Sequence, residues 1–322
     1  MNLQLLRTLA DGAFHSGADL SAILGVSRTT IWNQIREIQE FGVEINSVRG
    51  RGYHITGGLD LLDEVHLKAQ LESLDVLGLI DLLDLSMVCE STNLSAQRAS
   101  VAGHQRSLFV AEYQSSGRGR RGRVWQSPLG ANLYFSLSWP FSGGVVALEG
   151  LSLAVGVALE RALGALHVGG VKLKWPNDLL LEGRKLGGVL IEVGGDLSGD
   201  CSAVIGIGLN VSMPESAEAQ IDQPWSDLKG RLPKDLSRTD LLAVLVKYLV
   251  DILGEFSRSG FTGLKDEWER AHAYQGQAVS LLQGDRKIDG ICLGVDDSGA
   301  LRLQTASGEQ RFQGGEVSMR AN

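Results

Sequence analysis

The chain has 322 residues, an apolar fraction of 43% and a formal net charge of −8. No run approaches the roughly 20 apolar residues of a membrane-spanning helix, and the acidic balance argues against a general nucleic-acid coat protein. The first residues lack a secretory-signal pattern, and the three cysteines lack metal-binding or paired spacing. We therefore expect a cytoplasmic protein with free thiols, no bound structural metal, no membrane partner, and two or three domains.

Residues 1–58 have the pattern of a winged helix-turn-helix. Three apolar stripes predict three helices: Leu3, Leu6 and Leu9; Leu20, Ile23 and Leu24; and Ile31, Ile35, Ile38 and Phe41. Gly25 permits a tight turn, and Ser27 can cap the third helix. Two short apolar runs around the sequence RGRG at 49–52 predict a wing with a basic tip.

This segment is electrically neutral, with five arginines and five acidic residues, so the rest of the chain carries the acidic surplus. Polar and basic side chains left outside the predicted core suit contacts to phosphates and base edges. The predicted DNA-binding residues are Ser27, Arg28, Thr29, Asn33 and Arg36 of the third helix, and Arg49 and Arg51 of the wing. The alternative is a small helical module that binds another protein.

Gly57 and Gly58 indicate a linker, after which residues 65–270 alternate helical and β-rich patterns. Strands are predicted at 107–112, 133–139, 185–193 and 204–211, and helices at 148–166 and 239–256. This predicts a mixed α/β domain with one large sheet. From 271 to 322, short apolar runs separated by glycine turns predict a small antiparallel barrel.

The sequence GRGRRGR at 117–123 interleaves four arginines with three glycines. Glycine lets the backbone approach a ligand closely, and arginine offers paired donors to phosphate or carboxylate. Because the segment lies inside a domain, we interpret it as an anion-binding loop that becomes ordered over a ligand. An RG-rich nucleic-acid tail or a solvated basic turn would be the alternatives.

A second segment, 172–193, contains KWPND at 174–178 and GRKLGG at 183–188. A lysine flanked by glycines at the start of a strand, Lys185, suits a point charge held where negative charge develops during adenylation. A hairpin with ordinary surface lysines is the alternative. The phosphate-binding patterns of P-loop and Rossmann proteins do not fit this segment.

Two smaller groups of polar residues accompany these segments. ESTN at 90–93 can hydrogen-bond an uncharged polar ligand, or simply cap the following helix through Ser91 or Thr92. GIGLN at 206–210 places Asn210 after an apolar strand, where it can contact a base or phosphate. Trp125 can stack on adenine or belong to the core.

These motifs, in this order, resemble those of bacterial biotin–protein ligases over essentially the whole chain. The winged helix-turn-helix and the C-terminal sequence GGEVSMR at 314–320 resemble the subset that also represses biotin operons. The resemblance implies a winged-helix domain, a central ligase domain with a mixed sheet, and a small SH3-like barrel. It also implies that biotin and ATP, with Mg²⁺, form biotinyl-5′-AMP, from which biotin passes to a lysine of a carrier protein.

By resemblance, the catalytic residues are Lys185, Arg118 and Arg120. The implied biotin-binding residues are Ser91, Thr92, Asn93, Gln114, Gly117, Arg118, Gly119, Arg120, Lys185 and Gly188. The implied ATP-binding residues are Arg120, Arg121, Trp125, Asn132, Lys174, Asn177, Asp178 and Asn210. No protein metal site is implied beyond the Mg²⁺ that accompanies ATP.

The implied partners are the biotin carboxyl carrier protein, operator DNA, and a second copy of the chain when the adenylate is bound. Lipoate–protein ligase is the nearest enzymatic alternative, since it shares the adenylate chemistry. A repressor that senses a metabolite without catalysis is the other alternative. The predicted DNA-binding domain and arginine loop argue against the first, and retention of Lys185 and that loop argues against the second.

Overall fold

The structure, a computed structural model, describes residues 1–195, 199–215, 217, 221–283, 286–314 and 317–321. It contains a helical domain with a two-stranded wing, a central domain with a seven-stranded sheet, and a five-stranded antiparallel sheet. This confirms the predicted three-part α+β architecture, while the boundaries at 1–58, 65–270 and 271–322 stay a prediction. Among the described helices, none is both long and apolar enough to cross a bilayer.

The first domain has the predicted three helices and a wing. Its elements are α1 (Leu3–Leu9), α2 (Gly17–Leu24), α3 (Arg28–Gln39), β1 (Ile45–Val48) and β2 (Gly52–Ile55). Ser27 caps α3 by accepting a hydrogen bond from the Thr30 amide at 3.1 Å. Gly25 adopts the left-handed conformation, with φ of 66°, that the turn between α2 and α3 requires.

Two predicted core positions in this domain are wrong. Leu3 and Ile23 are exposed. In α1 the buried face is formed by Leu5, Leu6 and Leu9, so Leu5 takes the place predicted for Leu3. Leucine spacing alone misplaced one of the three positions in α1, because Leu5 is adjacent to Leu6 and also lies one turn before Leu9.

The central domain is a seven-stranded sheet with helices packed against it. Its elements are α4 (Glu64–Ser73), β3 (Leu82–Cys89), α5 (Thr92–Val101), β4 (Ser107–Gln114), β5 (Leu133–Phe141), α6 (Leu151–Ala165), β6 (Val171–Lys174), β7 (Asp178–Leu181), β8 (Arg184–Gly195), β9 (Cys201–Leu209), α7 (Arg238–Ser259) and α8 (Lys265–Ala271). The strand order is β3-β4-β5-β9-β8-β7-β6, with β3 and β4 parallel and the other neighbours antiparallel.

The core of this domain lies between the sheet and the long helices α6 and α7. Strand β5 is buried along nearly its whole length because helices cover the sheet there. Helix α7 begins with a capping box, in which Ser237 and Asp240 satisfy each other's backbone amides. These elements form a rigid platform, and the ends of β3, β4, β8 and β9 project polar loops from it.

The C-terminal unit contains β10 (Ala278–Gln283), β11 (Arg286–Val295), β12 (Leu301–Thr305), β13 (Gly308–Phe312) and β14 (Val317–Ala321), in the order β13-β12-β11-β10-β14. Strand β13 was not predicted, because its sequence GEQRF lacks the apolar alternation of a half-buried strand. Of the GGEVSMR motif, residues 315 and 316 lie outside the described residues.

A buried ion pair fixes the linker between the first two domains. The Arg238 guanidinium lies 2.8 Å from the Glu112 carboxylate, and their side chains are 4% and 0% exposed. Arg238 also donates to the backbone oxygens of Asp60 and Asn132 at 2.7 Å. Glu112 in turn accepts a hydrogen bond from the Leu62 amide. The linker is therefore bound to strand β4 and to the start of α7.

Candidate active site and nucleic-acid interface

A cavity of about 470 Å³ opens where β3, β4, β8 and β9 meet the loops that follow or precede them. Its walls come from segments that lie far apart in the sequence. The predicted site residues among its lining are Ser91, Thr92, Asn93, Gln114, Arg118, Gly119, Arg120, Arg121, Trp125, Lys174, Asn177, Asp178, Lys185, Gly188 and Asn210. The fold thus places nearly all of the predicted ligase residues around one space.

One end of the cavity holds uncharged polar groups on a tight hydrogen-bond network. Gln114 Oε1 accepts from the Thr92 amide at 2.9 Å, while its Nε2 donates to Ser127 Oγ at 3.2 Å. Ser136 Oγ lies 2.7 Å from Thr92 Oγ1 and 2.6 Å from Asn93 Oδ1. This network holds donors and acceptors in fixed directions, which suits a neutral polar ring.

Ser91 occupies the N-cap position of α5, but its side chain makes no capping hydrogen bond. Its side chain lines the cavity although the residue is 3% exposed. Gly206 is needed beside this end, because a Cβ there would lie 1.9 Å from Asn93 Oδ1. The sequence motif ESTN therefore contributes to the cavity wall rather than only to the start of a helix.

The arginine loop is folded back on itself beside the cavity. The Gly119 amide donates to the Arg123 oxygen at 2.7 Å, and the Trp125 amide donates to the Gly117 oxygen at 2.9 Å. Gly117 does not belong to the lining, and its absent side chain permits this packing: a Cβ would lie 2.5 Å from the Trp125 oxygen. The segment therefore lies within the domain beside the cavity and is not a nucleic-acid tail.

Two arginines attach this loop to the walls opposite. Arg118 donates to Glu192 Oε2 at 2.9 Å, and the same carboxylate oxygen accepts from Asn93 at 2.7 Å. Arg120 donates to Asn177 Oδ1 at 3.1 Å and to the Gly314 oxygen of the C-terminal unit. Burial lowers the pKa of the Arg120 guanidinium, and nearby Asp178 acts in the opposite direction.

Lys185 lies in the cavity beside Asp178, with its Nζ 2.7 Å from Asp178 Oδ1. Lys174 approaches the other carboxylate oxygen at 3.7 Å. The side chains of the two lysines are only 16% and 19% exposed. They are therefore cavity residues and not the ordinary surface lysines of a hairpin.

Charge in the cavity is opposite in sign to that of the whole chain. Among the described lining residues, two are acidic, Asp178 and Asp222, and six are basic: Arg118, Arg120, Arg121, Arg123, Lys174 and Lys185. Partly buried charges attract an anion more strongly than exposed ones because water screens them less. The cavity joins a neutral polar end to a cationic end, which suits a small polar carboxylate next to a phosphate.

Trp125 packs across the backbone of β9, where a Cβ on Gly208 would lie 2.3 Å from the indole. The Lys185 Nζ is 5.4 Å from the centroid of its ring. Among the described residues, Trp125 Nε1 and Asn210 Oδ1 are buried polar atoms without a hydrogen-bond partner. Both residues line the cavity, so its wall contains two polar atoms without a partner among the described residues.

Asn132 is the other predicted ligand residue that lies outside the described lining. It is fully buried, and its Oδ1 accepts from the Val211 amide at 2.8 Å. Its backbone oxygen accepts from Arg238, so it connects the buried ion pair to the chain just after Asn210. The structure thus gives Asn132 a supporting contact rather than a place in the cavity wall.

The residues of the cavity region that sequence reasoning missed include Ser136, Glu192 and Trp225. Ser136 and Glu192 complete the hydrogen bonds described above. Trp225 lines the cavity because residues 224–226 pair with Lys185, whose amide donates to the Pro224 oxygen at 3.0 Å. The only sequence signal for a fixed tryptophan there is QPW at 223–225, in which the aromatic residue directly follows a proline.

The predicted DNA-binding residues lie on the outer surface of the first domain. Ser27, Arg28, Thr29, Asn33 and Arg36 are exposed on α3, and Arg49 and Arg51 are exposed on the wing. The Arg51 guanidinium lies 3.7 Å from the centroid of the Phe14 ring, which fixes its position on the domain. This arrangement places a polar helix face and a basic wing on the surface.

Known protein families match all three parts of the chain. Residues 86–210 match the biotin/lipoate A/B protein ligase family, residues 2–54 an HTH domain, and residues 274–320 the biotin protein ligase C terminal domain. The bifunctional ligase/repressor BirA of Escherichia coli is 36% identical over 99% of this chain and 97% of its own length. The Salmonella typhimurium protein of that name is 38% identical over the same shares.

A solved structure, the biotin protein ligase from Aquifex aeolicus in complex with biotin and ATP, is also similar. It is 30% identical, has a TM-score of 0.64, and corresponds to 75% of this chain and 100% of its own. From the full-length matches, the chain belongs to the family of the bifunctional ligase/repressor BirA proteins.

Proposed function

We propose that this chain activates biotin with ATP as biotinyl-5′-AMP and transfers biotin to a lysine of the biotin carboxyl carrier protein of acetyl-CoA carboxylase. It also represses biotin genes through its winged-helix domain. The observation that carries the proposal is the single cavity in which a neutral hydrogen-bonding end adjoins six basic side chains. Such a cavity suits a reaction between a polar carboxylate and a nucleotide phosphate.

In the first step, a carboxylate oxygen of biotin attacks the α-phosphorus of ATP, the bond to the β-phosphate oxygen breaks, and pyrophosphate leaves. Thr92, Asn93 and Gln114 hold the biotin ring in this proposal. Lys185 and Arg118 stabilise the carboxylate and the charge that develops on the phosphoryl oxygens. Trp125, Asn177 and Asn210 belong to the nucleotide side.

In the second step, the amine of the carrier lysine attacks the anhydride carbonyl, the bond to the phosphate oxygen breaks, and AMP leaves. The arginine loop, held by Arg118 and Arg120, keeps water from the anhydride until the carrier arrives. Gly117 and Asn132 support this site by packing and hydrogen bonding from outside the cavity wall.

Mg²⁺ enters this proposal together with ATP. The cation is usually held by one or two carboxylates plus substrate phosphates and water. Asp178 fits this role, because its carboxylate lines the cationic end of the cavity. Among the described residues, no group of three or more acidic, histidine or cysteine side chains could hold a metal ion without the nucleotide. When bound, Mg²⁺ would neutralise phosphate charge.

Repression follows from the second site. One winged helix on a neutral domain binds DNA weakly, whereas a homodimer binds two half-sites. We propose that biotinyl-5′-AMP orders the 117–123 loop, strengthens dimerisation and so acts as corepressor. A carrier protein that consumes the adenylate then relieves repression.

The decisive experiment mixes the purified chain with ATP labelled at the α-phosphate and either biotin or lipoate. Formation of labelled adenylate with biotin and not with lipoate supports the proposal. Addition of the carrier protein should then consume the labelled adenylate and yield biotinylated carrier. Adenylate with lipoate alone would instead support a lipoate ligase. Absence of both adenylates would contradict the enzymatic proposal and favour a metabolite-sensing repressor.

A further inference from the structure

Helix α3 contains one aromatic residue, Trp32, which sequence reasoning did not assign to either site. Trp32 is 47% exposed, although Ile31 directly before it and Ile35 after it are buried in the domain core. Burying the exposed part of an indole is favourable. On the predicted recognition helix, this ring is accessible to a bound partner.

Trp32 lies in a basic column along α3. Arg28 precedes it by one helical turn and Arg36 follows it by one, so the three side chains share one face. The Arg36 Cζ lies 4.9 Å from the centroid of the indole. Stacking of this kind reduces the freedom of the guanidinium and fixes its direction. Thr29 and Asn33 are exposed on the adjoining face.

We propose that Trp32 reads a thymine in each operator half-site through the thymine C5-methyl group, while Arg36, stacked on the indole, contacts a neighbouring phosphate. This inference rests on the proposed repressor function. The C5-methyl of thymine is the apolar group that base edges present in the major groove. Residues near the start of a recognition helix contact those edges, and Trp32 is the fifth residue of α3.

Charge favours DNA over a protein as the partner of this face. Arginines flank Trp32 on both sides along the helix. The nearest acidic side chain in sequence, Glu37, forms an ion pair with the amino terminus of the chain. A face with an aromatic ring between two cations is complementary to a groove bounded by phosphates.

The test begins with the full-length chain, biotin and ATP, and selects a preferred duplex from a random-sequence DNA library. Each thymine of that duplex is then replaced by deoxyuridine, which removes only the methyl group. At one thymine per half-site, we expect the wild-type protein to lose about fourfold in affinity, the value of one buried methyl group. Trp32→Ala should bind more weakly and be insensitive at that thymine, while other positions keep their effects.

Leu3→Ala provides the matched control, since Leu3 is an exposed apolar residue of the same domain on α1. It should keep the wild-type response to every replacement. Equal formation of biotinyl-5′-AMP by all three proteins verifies the ligase domain, and matching thermal unfolding verifies that the winged-helix domain of each is folded. Trp32→Phe should retain part of the methyl response.

Two outcomes would overturn the inference, and they are distinguishable. If the wild-type protein selects no sequence, the repressor function and this inference fail together. If it selects an operator, but Trp32→Ala keeps the wild-type affinity and methyl response, only the inference fails. In that case another partner covers Trp32.

Discussion

The two candidate sites of this chain are built in opposite ways. The DNA-binding face takes its side chains from residues 27–36 and 49–51, each exposed on its own helix or turn. The ligase cavity collects side chains from Ser91 to Met319, and many of its polar atoms are buried. A local pattern is enough to form the first site, whereas the second exists only when the seven-stranded sheet is assembled.

This difference has energetic consequences. Exposed arginines on the DNA face act through charges that salt screens, so each contributes little and independently. The Arg238–Glu112 pair beneath the cavity and the Lys185–Asp178 pair in its wall are shielded from water, so loss of one partner leaves the other unsatisfied. Substitutions should therefore have large effects at the cavity and its support, and small, additive effects on the DNA face.

The largest effect is expected at the buried ion pair beneath the cavity. Arg238→Met leaves the Glu112 carboxylate buried without its partner, so we expect the free energy of unfolding to fall by about 3–5 kcal/mol. Urea unfolding measures the change. Arg231→Met is the control, because Arg231 pairs with Glu182 on the surface and should cost at most about 1 kcal/mol. If the two variants unfold alike, the buried pair does not brace the linker.

Next in size is the loss of Lys185. We expect Lys185→Ala to reduce adenylate formation by about 10²–10³-fold while leaving the fold intact, since one cation aimed at developing charge is removed. Pyrophosphate release measures the rate. Lys172→Ala, which replaces an exposed lysine of strand β6 at the edge of the same sheet, should remain near wild type. A Lys185→Ala protein with normal pyrophosphate release would contradict the assignment of this residue.

Synthetic biotinyl-5′-AMP separates the effect of Lys185→Ala on the ligase cavity from its effect on the DNA-binding face. Added to Lys185→Ala, it should restore operator binding, because the winged-helix face itself is unchanged.

A smaller effect is expected at Arg120, which connects the loop to Asn177 and Gly314. Arg120→Gly should release biotinyl-5′-AMP about tenfold faster, equivalent to one charged hydrogen bond of about 1.5 kcal/mol. Escaping adenylate should then biotinylate unrelated lysines. Arg120→Gly removes the guanidinium and also increases backbone freedom, whereas Arg120→Ala removes only the guanidinium. If the Arg120→Ala protein releases the adenylate as slowly as wild type, the faster release from Arg120→Gly comes from the glycine.

The smallest effects are expected on the DNA face. Arg28→Ala or Arg51→Ala should each weaken operator binding and lower its salt dependence by about 1 for each phosphate that the variant no longer neutralises. Ligase activity should stay unchanged in both. Arg7→Ala, an arginine of α1 outside the predicted face, is the control. Titrations at several salt concentrations measure the slopes, and an unchanged slope in both variants would remove these arginines from the interface.

The sequence by itself determined the architecture, the winged-helix face and about half of the cavity lining, 15 of 31 described lining residues. Helix periods, caps such as Ser27, and glycine turns act between neighbours in the chain, so their consequences can be predicted locally. Gly117–Arg123 and Lys185 were recognisable because glycine and charge at those spacings suit few structural roles.

Tertiary structure alone decided the rest. Ser136 became part of the site because β5 lies between β4 and β9, which brings its hydroxyl to Thr92 and Asn93. Asn132 was assigned to the nucleotide, yet it meets Arg238 and the Val211 amide inside the protein. Long-range pairing fixes which polar groups face a cavity and which satisfy buried partners, and no local pattern along the chain contains that information.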